Sequence, residues 1–242
     1  MLYHLGCGHQ RVDGFINVDI QPTEATDLVL DLNTLADLPA DTAEGFFSHT
    51  FFEHLYRDSR VGHLRAARAL LQPDGFLCYI GLPDFRRIAE LYLSRGPGIE
   101  GPVFDLHNVY RLTHGHPEMG GTDWLAQLHK SLFDVEETDR LLRDSGFPSY
   151  VIFRYVFPGD PPELDLSLGF YATPARRSVH DLQDAARRFL RPFDGRFIAI
   201  DTLNFEAERS RPEPLARAIG SSPGLALRRL ANRAACRLAG LT

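Results

Sequence analysis

The chain has 242 residues, of which 44% are hydrophobic, and a formal net charge of −6 at pH 7. This length suits one sizeable domain, alone or with an appendage. A mildly acidic chain lacks the basic face that binding to nucleic-acid backbones needs, so we expect no nucleic-acid partner. The three cysteines are widely spaced and form no CxxC pair, which indicates a reducing cytoplasm and neither a disulfide framework nor a zinc site.

Short apolar runs alternate with helical patterns along the chain. Seven runs predict strands, at Leu2–Leu5, Phe15–Ile20, Asp27–Leu32, Gly45–Thr50, Phe76–Pro83, Tyr150–Phe157 and Arg196–Phe205. Helices are predicted at Arg60–Leu71, Asp84–Leu93, Phe133–Phe147 (N-cap Asp134, C-terminal Gly146), Ser178–Leu190 and Pro223–Leu241. The stretch from Ser94 to Gly121 is rich in Gly, Pro and His and has no predicted element. Strands separated by helices predict an α/β fold, with a mostly parallel sheet and helices on both faces.

The same pattern predicts two domains. Residues 1–207 hold the core, with a helical insert at about 158–196, and residues 208–242 hold a linker and an amphipathic helix. The apolar face of that helix is half alanine and lacks aromatic anchors. We therefore expect it to pack on its own domain or on a second subunit of a homodimer, rather than on an anionic membrane.

A glycine turn directly after the first strand carries the main functional signal. In "LGCG", Gly6 and Gly8 allow unusual backbone conformations and let a ligand approach without meeting a Cβ. A dinucleotide fingerprint asks for a third glycine and for an acid about 20 residues further on. Here Arg11 occupies the third position and Asp19 follows Gly6 by only 13 residues, which disfavours a nicotinamide-dependent oxidoreductase. A ligand with a carboxylate, a ribose and no phosphate, such as S-adenosylmethionine, fits better.

Six motifs then occur in an order that resembles class I S-adenosylmethionine-dependent methyltransferases. They are "HLGCG", "GFINVDI", "DLVLDLNTLADLP", "SHTFFEHL", "LRAARALLQPDGFLCYIGLPDF" and "HKSLFDVEETDRLLRDSGF". The closest likeness is to a bacterial subgroup associated with glycan and secondary-metabolite pathways. The resemblance covers Leu2 to about Phe147 and implies a Rossmann-like fold with a seven-stranded sheet.

The resemblance also implies a cofactor site. The glycine turn would cradle the methionine part of S-adenosylmethionine, Asp19 would bind the ribose, and Asp31 with the Leu32 backbone would bind the adenine. The matched positions are Gly6, Cys7, Gly8, Asp19, Ile20, Asp31, Leu32, Ser48 and His49. Too few residues separate Gly8 from Ile16 for a crossover helix, so a turn or one helical turn must link the first two strands. The cover over the substrate must come from Arg87–Gly121, from the insert or from a second subunit.

Histidines supply the candidate general bases for methylation of an alcohol. We favour His129 or His49, whereas Glu53 and His54 are interpreted as packing residues of the helix after the fourth strand. His114 and His116 form a His-x-His pair in a glycine-rich loop, which we interpret as loop, so no metal site is expected.

The sequence thus predicts a cytoplasmic S-adenosylmethionine-dependent methyltransferase whose acceptor is a hydroxyl of a sugar, glycan or other small molecule. The alternative is a regulatory protein that binds S-adenosylmethionine or S-adenosylhomocysteine without turnover.

Overall fold

A mixed β-sheet organises the protein, whose computed structural model describes residues 1–39, 43–116 and 124–200. The strands are β1 (Leu2–Leu5), β2 (Ile16–Asp19), β3 (Leu28–Val29), β4 (Ala43–His49), β5 (Leu71–Pro83), β6 (Ser149–Val156), β7 (Ser167–Thr173) and β8 (Arg196–Ala199). They lie in the order β3-β2-β1-β4-β5-β7-β6-β8. Strands β1 to β5 pair in parallel, whereas β7 is antiparallel to β5 and β6, and β8 is antiparallel to β6. The predicted Rossmann-like α/β fold is confirmed.

The α-helices of the described ranges are α1 (Arg57–Leu70), α2 (Phe85–Ser94), α3 (Leu106–His114), α4 (Trp124–Gln127), α5 (Val135–Asp144) and α6 (Val179–Leu190). Side chains cap the N-termini of α2, α3, α5 and α6 by accepting a hydrogen bond from the backbone N–H three residues on; they are Asp84, Asp105, Asp134 and Ser178. The predicted N-cap Asp134 is thus confirmed. Gly146, just past the end of α5, has a φ of +79°, as a helix-terminating glycine does.

The sheet has eight strands within the described residues, one more than predicted, because the insert predicted as helical contains β7. All of β7 is buried, so its sequence lacks the polar–apolar alternation that marks a half-exposed strand. The helix predicted within the insert is present as α6. Two further predictions were wrong: β3 is shorter than Asp27–Leu32, and α3 lies in the stretch for which no element was predicted.

The link between β1 and β2 contains turns and no helix, as its length predicts. The buried side chain of Asn17 holds this link: it accepts from the Val12 N–H at 2.9 Å and donates to the carbonyls of Val12 and Phe15. The Phe15 ring packs edge-on against Phe189 of α6, which also contacts Phe47 of β4. Helix α6 therefore covers sheet surface beside the short link.

The C-terminal predictions fall on residues 201–242, which lie outside the described residues. They include the predicted core boundary at 207, the linker and amphipathic helix of 208–242, and the end of the last predicted strand. In the part of the chain that the structure describes, no helix combines the length and the apolar character needed to cross a membrane.

Candidate functional site

A cavity of about 1030 Å³ opens at the carboxyl ends of β1, β2, β4 and β5, which is where open α/β sheets bind ligands. Small-molecule sites commonly occupy ~300–1,000 Å³, so this one is large. Three groups of residues form much of its wall: the glycine turn with Asp19, the end of β4 at His49, and a cluster made of Glu53, His54 and His129.

The glycine turn is fixed to β2 by its own backbone. The N–H groups of Gly6 and Cys7 donate to the Val18 carbonyl at 2.8 and 3.1 Å. Gly6 and Gly8 have φ values of +68° and +52°, in the left-handed region that glycine adopts readily. A Cβ on Gly6 would lie 2.5 Å from the Phe51 Cβ, whereas a Cβ on Gly8 would meet nothing within 4 Å. Gly6 therefore makes room for Phe51, and Gly8 leaves its side of the turn open.

Asp19 ends β2 and faces the turn across the cavity wall. Its Oδ2 accepts from the Gly8 N–H at 2.8 Å and its Oδ1 accepts from the Gln21 N–H at 3.0 Å. Each carboxylate oxygen can accept a second hydrogen bond, so Asp19 can hold the turn and bind a ligand hydroxyl together. Ile20 is 56% exposed and also lines the cavity.

The loop after β3 reaches the cavity through Leu32 and Asn33. Asp31 is exposed and is not part of the wall; its Oδ1 accepts from the backbone and side-chain N–H groups of Asn33 at 2.9 and 2.8 Å. The resemblance implied that Asp31 contacts the adenine, but in this loop it is Asn33, and not Asp31, that lines the cavity. The Leu32 carbonyl accepts from the buried His63 ring at 2.6 Å, which fixes the loop at this point of the cavity wall.

The end of β4 brings His49 to the cavity but not Ser48. Ser48 is buried, and its Oγ has no hydrogen-bond partner among the described residues; of the two residues implied for the floor, only His49 lines the cavity. The His49 ring stacks on Phe157 with centroids 4.7 Å apart. Burial lowers the pKa of His49 to about 4, which keeps the ring neutral at pH 7.

The Glu53–His54–His129 cluster was not predicted as a site. Glu53 and His54 lie in a short 3-10 helix, Phe52–His54, and the His54 and His129 rings meet edge-on with centroids 5.0 Å apart. Burial raises the pKa of Glu53 to about 8 and lowers that of His129 to about 4. Nothing in "FFEHL" marks this cluster, because its third member comes from a segment 75 residues further along the chain.

The His-Gly-His motif, His114–His116, contacts the backbone of the segment that carries His129. The His129 N–H donates to the His114 carbonyl at 3.1 Å, and a Cβ on Gly115 would lie 2.3 Å from the Gln127 carbonyl oxygen. The His114 ring bonds the Thr113 hydroxyl, and His116 Nε2 accepts from Arg111. The motif therefore positions the His129 segment, but the interpretation of it as loop was wrong for His114, which is the last residue of α3.

Two of the three predicted sources of substrate cover line the cavity. Ile99, Arg111 and Leu112 come from the region between Arg87 and Gly121, and Leu164 and Leu166 come from the insert. Leu164 and Leu166 belong to a buried cluster with residues of α2 and with Phe104, so the two segments support each other over the cavity.

Comparison with known proteins gives structural matches alone. No protein-family model matches the chain, and no curated protein matches it. Solved structures of S-adenosylmethionine-dependent methyltransferases do match.

One match is from Thermotoga maritima and is described as a possible histamine N-methyltransferase; it is 14% identical with a TM-score of 0.44, covering 72% of this chain and 81% of that one. A second, from Archaeoglobus fulgidus, is 15% identical with a TM-score of 0.46, covering 71% and 85%. A third is the CMeT domain of the citrinin polyketide synthase, 13% identical with a TM-score of 0.45; 73% of this chain spans only 46% of that one. At such identities, what this cavity binds must be argued from its own residues.

Proposed function

We propose that this chain is an S-adenosylmethionine-dependent methyltransferase that methylates a hydroxyl group of a sugar or another small molecule. The observation that carries the proposal is the arrangement of Gly8 and Asp19 at neighbouring parallel strand ends. Both face one cavity, and the open side of Gly8 lies beside a carboxylate that has acceptor capacity left. This arrangement fits an amino-acid moiety next to a ribose.

The remaining cofactor contacts follow from the wall of the cavity. The open side of the glycine turn at Gly8 would face the amino-acid part of the ligand, Asp19 would accept from the ribose hydroxyls, and Ile20, Leu32 and Asn33 would surround the adenine. Arg11 pairs with Asp27 at 2.7 Å, so it is directed away from any role as a phosphate ligand. This supports a ligand without a pyrophosphate.

When bound, S-adenosylmethionine supplies an electrophilic methyl group to the acceptor oxygen. The chain's own part is to align the acceptor and to remove its proton. His129 and His49 both line the cavity, and their lowered pKa values keep a ring lone pair available at neutral pH. We assign the proton acceptor to one of these two rings.

Calorimetric titration with S-adenosylhomocysteine, with NAD as a control, tests the cofactor half. We expect micromolar binding of the first and no binding of the second. Asp19→Ala should weaken binding about 100-fold, since two hydrogen bonds to a charged acceptor contribute about 3 kcal/mol. Asp37→Ala, at an exposed position outside the cavity wall, is the matched control and should bind within a few-fold of wild type.

Asp19 also accepts a hydrogen bond from the Gly8 N–H, so Asp19→Ala could disturb the glycine turn as well. Asp19→Asn keeps an oxygen that can accept this bond and therefore tests the loss of the negative charge alone. Unchanged affinity in Asp19→Ala, or binding of NAD, would refute the cofactor assignment. His129→Gln and His49→Gln then identify the base, because turnover is lost while cofactor binding persists. Binding without turnover of any acceptor, beginning with nucleotide sugars, would favour the regulatory alternative.

A further inference from the structure

We propose that Glu53, His54 and His129 bind one divalent transition-metal ion in the cavity. Each residue offers one ligand atom, a carboxylate oxygen or a ring nitrogen, and these atoms all lie within 4.8 Å of one another. His54 Nε2 and Glu53 Oε1 are 4.0 Å apart. All three residues line the cavity, so an ion held there would also be accessible to a small molecule.

The hydrogen bonds of the two rings leave the inward nitrogens free to coordinate. His54 Nδ1 bonds the Leu128 carbonyl at 3.1 Å, and His129 Nδ1 bonds the Leu112 carbonyl at 2.9 Å. A carbonyl only accepts, so each Nδ1 carries the proton and each Nε2 carries the lone pair of a neutral ring. Histidine ligands of metals are commonly oriented by such a bond from the other ring nitrogen.

Glu53 gives an independent reason for a cation at this place. Its side chain is 1% exposed, and its Oε2 has no hydrogen-bond partner among the described residues. The ammonium group of Lys130, the neighbour whose N–H donates to the Glu53 carbonyl, lies over the Tyr56 ring at 4.8 Å. Burying a carboxylate oxygen without a partner costs free energy, and a coordinated ion would remove that cost.

The donor set selects the kind of ion. Two imidazoles and one carboxylate suit Zn²⁺ and neighbouring divalent transition metals, whereas Mg²⁺ and Ca²⁺ prefer oxygen ligands. Ligand atoms around a tetrahedral ion with ~2.1 Å bonds lie roughly 3.4 Å apart. The ligand atoms must therefore draw together slightly on binding, and the hydrogen bond from the Lys130 N–H to the Glu53 carbonyl, at 2.9 Å, keeps the two segments close.

The role of the ion rests on the proposed function. Three protein ligands leave at least one position open, and an acceptor hydroxyl bound there would lose its proton more easily. A sugar diol, with two adjacent oxygens, would suit an ion with two open positions. His129 has no lone pair left once it is a ligand, so in the loaded protein His49 or solvent would take the proton.

Binding of Co²⁺ and Zn²⁺ to the chelator-treated full chain tests the site directly. We expect one equivalent of Co²⁺ per chain, with visible absorption bands that Zn²⁺ abolishes by displacement. Glu53→Gln and His129→Ala should each weaken binding by about 100-fold or more, since even loss of an outer hydrogen bond to a ligand costs about 10–100-fold. His107→Ala and His180→Ala, at exposed positions outside the cavity wall, are the matched controls and should bind as wild type does.

Glu53→Gln also guards against misfolding, because glutamine keeps the shape of the side chain and, like the buried protonated acid, carries no charge. Without metal it should melt no lower than wild type, and Zn²⁺ should raise the melting temperature of wild type only. Absence of stoichiometric Co²⁺ binding, or binding that Glu53→Gln and His129→Ala both retain, would overturn the proposal. Titration of the same preparations with S-adenosylhomocysteine separates the two proposals. If the protein binds S-adenosylhomocysteine but not Co²⁺, the metal site alone is refuted. If it binds Co²⁺ but not S-adenosylhomocysteine, the methyltransferase alone is refuted.

Discussion

Gly6 and Gly8 look equivalent in the sequence, yet they have different surroundings in the structure. The position of a Gly6 Cβ is filled by Phe51, and that of a Gly8 Cβ is open. Both have positive φ, so both tolerate alanine poorly on backbone grounds alone. Only Gly8, however, faces space that a ligand can enter.

This difference predicts a smaller loss of stability for Gly8→Ala than for Gly6→Ala. Gly8→Ala should lower the free energy of unfolding by only about 1–2 kcal/mol, the cost of a left-handed alanine, while weakening S-adenosylhomocysteine at least about tenfold. Gly6→Ala should cost a further ~1–3 kcal/mol through the clash with Phe51. Urea unfolding and calorimetry on the same preparations measure both quantities. Equal losses of stability in the two variants would contradict this assignment.

The residues of the site divide according to how far apart their partners lie in the chain. Asp19 and the glycine turn were predictable, because a parallel strand pair brings neighbouring strand ends together. The place of Asn33 in the cavity wall was not, because the sequence motif pointed to Asp31, which is exposed and accepts a hydrogen bond from Asn33. The Glu53–His54–His129 cluster was beyond prediction, since it depends on how the segment after α4 packs.

At the scale of elements, the strands β1 to β5 were predictable in order and type, whereas β7 was not. A strand buried on both faces carries no periodic signal, and a helix follows it closely in sequence. The antiparallel half of the sheet nonetheless supports the site, because Asp84, at the end of β5, pairs with Arg154 of β6 at 3.0 Å and caps α2. This one carboxylate joins three elements beneath the cavity cover.

Asp84→Ala should therefore destabilise the protein by about 3 kcal/mol or more, because it leaves the Arg154 guanidinium without this partner and removes a helix cap. Asp105→Ala is the matched control: Asp105 caps α3 with a similar bond, Asn108 N–H to Asp105 Oδ1 at 3.0 Å, but is exposed. Its loss should cost about 1 kcal/mol. Chemical unfolding of the two variants gives the comparison, and costs of similar size would show that the Arg154 pair contributes nothing.

For the whole molecule, His63 connects the cavity wall at Leu32 to the core. Its ring bonds the Leu32 carbonyl and the Tyr79 hydroxyl, each at 2.6 Å, and lies beside Phe51 and Phe52. Burial lowers its pKa from 6.5 to about 4. One neutral histidine thus contacts the loop after β3, strand β5 and the aromatic core.

A depressed histidine pKa makes stability depend on pH in a definite direction. The unfolded chain binds a proton near pH 6.5 and the folded one only near pH 4, so the contribution of His63 is complete above pH 6.5 and is lost as the pH falls toward 4. The stability advantage of wild type over His63→Gln should therefore shrink by roughly 2–3 kcal/mol between pH 7.5 and 4.5. His180→Gln, on the exposed face of α6, is the control for a surface histidine substitution. Four other histidines also have lowered pKa values: His4, His49, His54 and His129. The pH dependence of wild-type stability alone therefore cannot isolate His63, whereas the difference in unfolding free energy between wild type and His63→Gln, measured in urea, does. If that difference does not change with pH, the His63 ring titrates alike in the folded and unfolded chains.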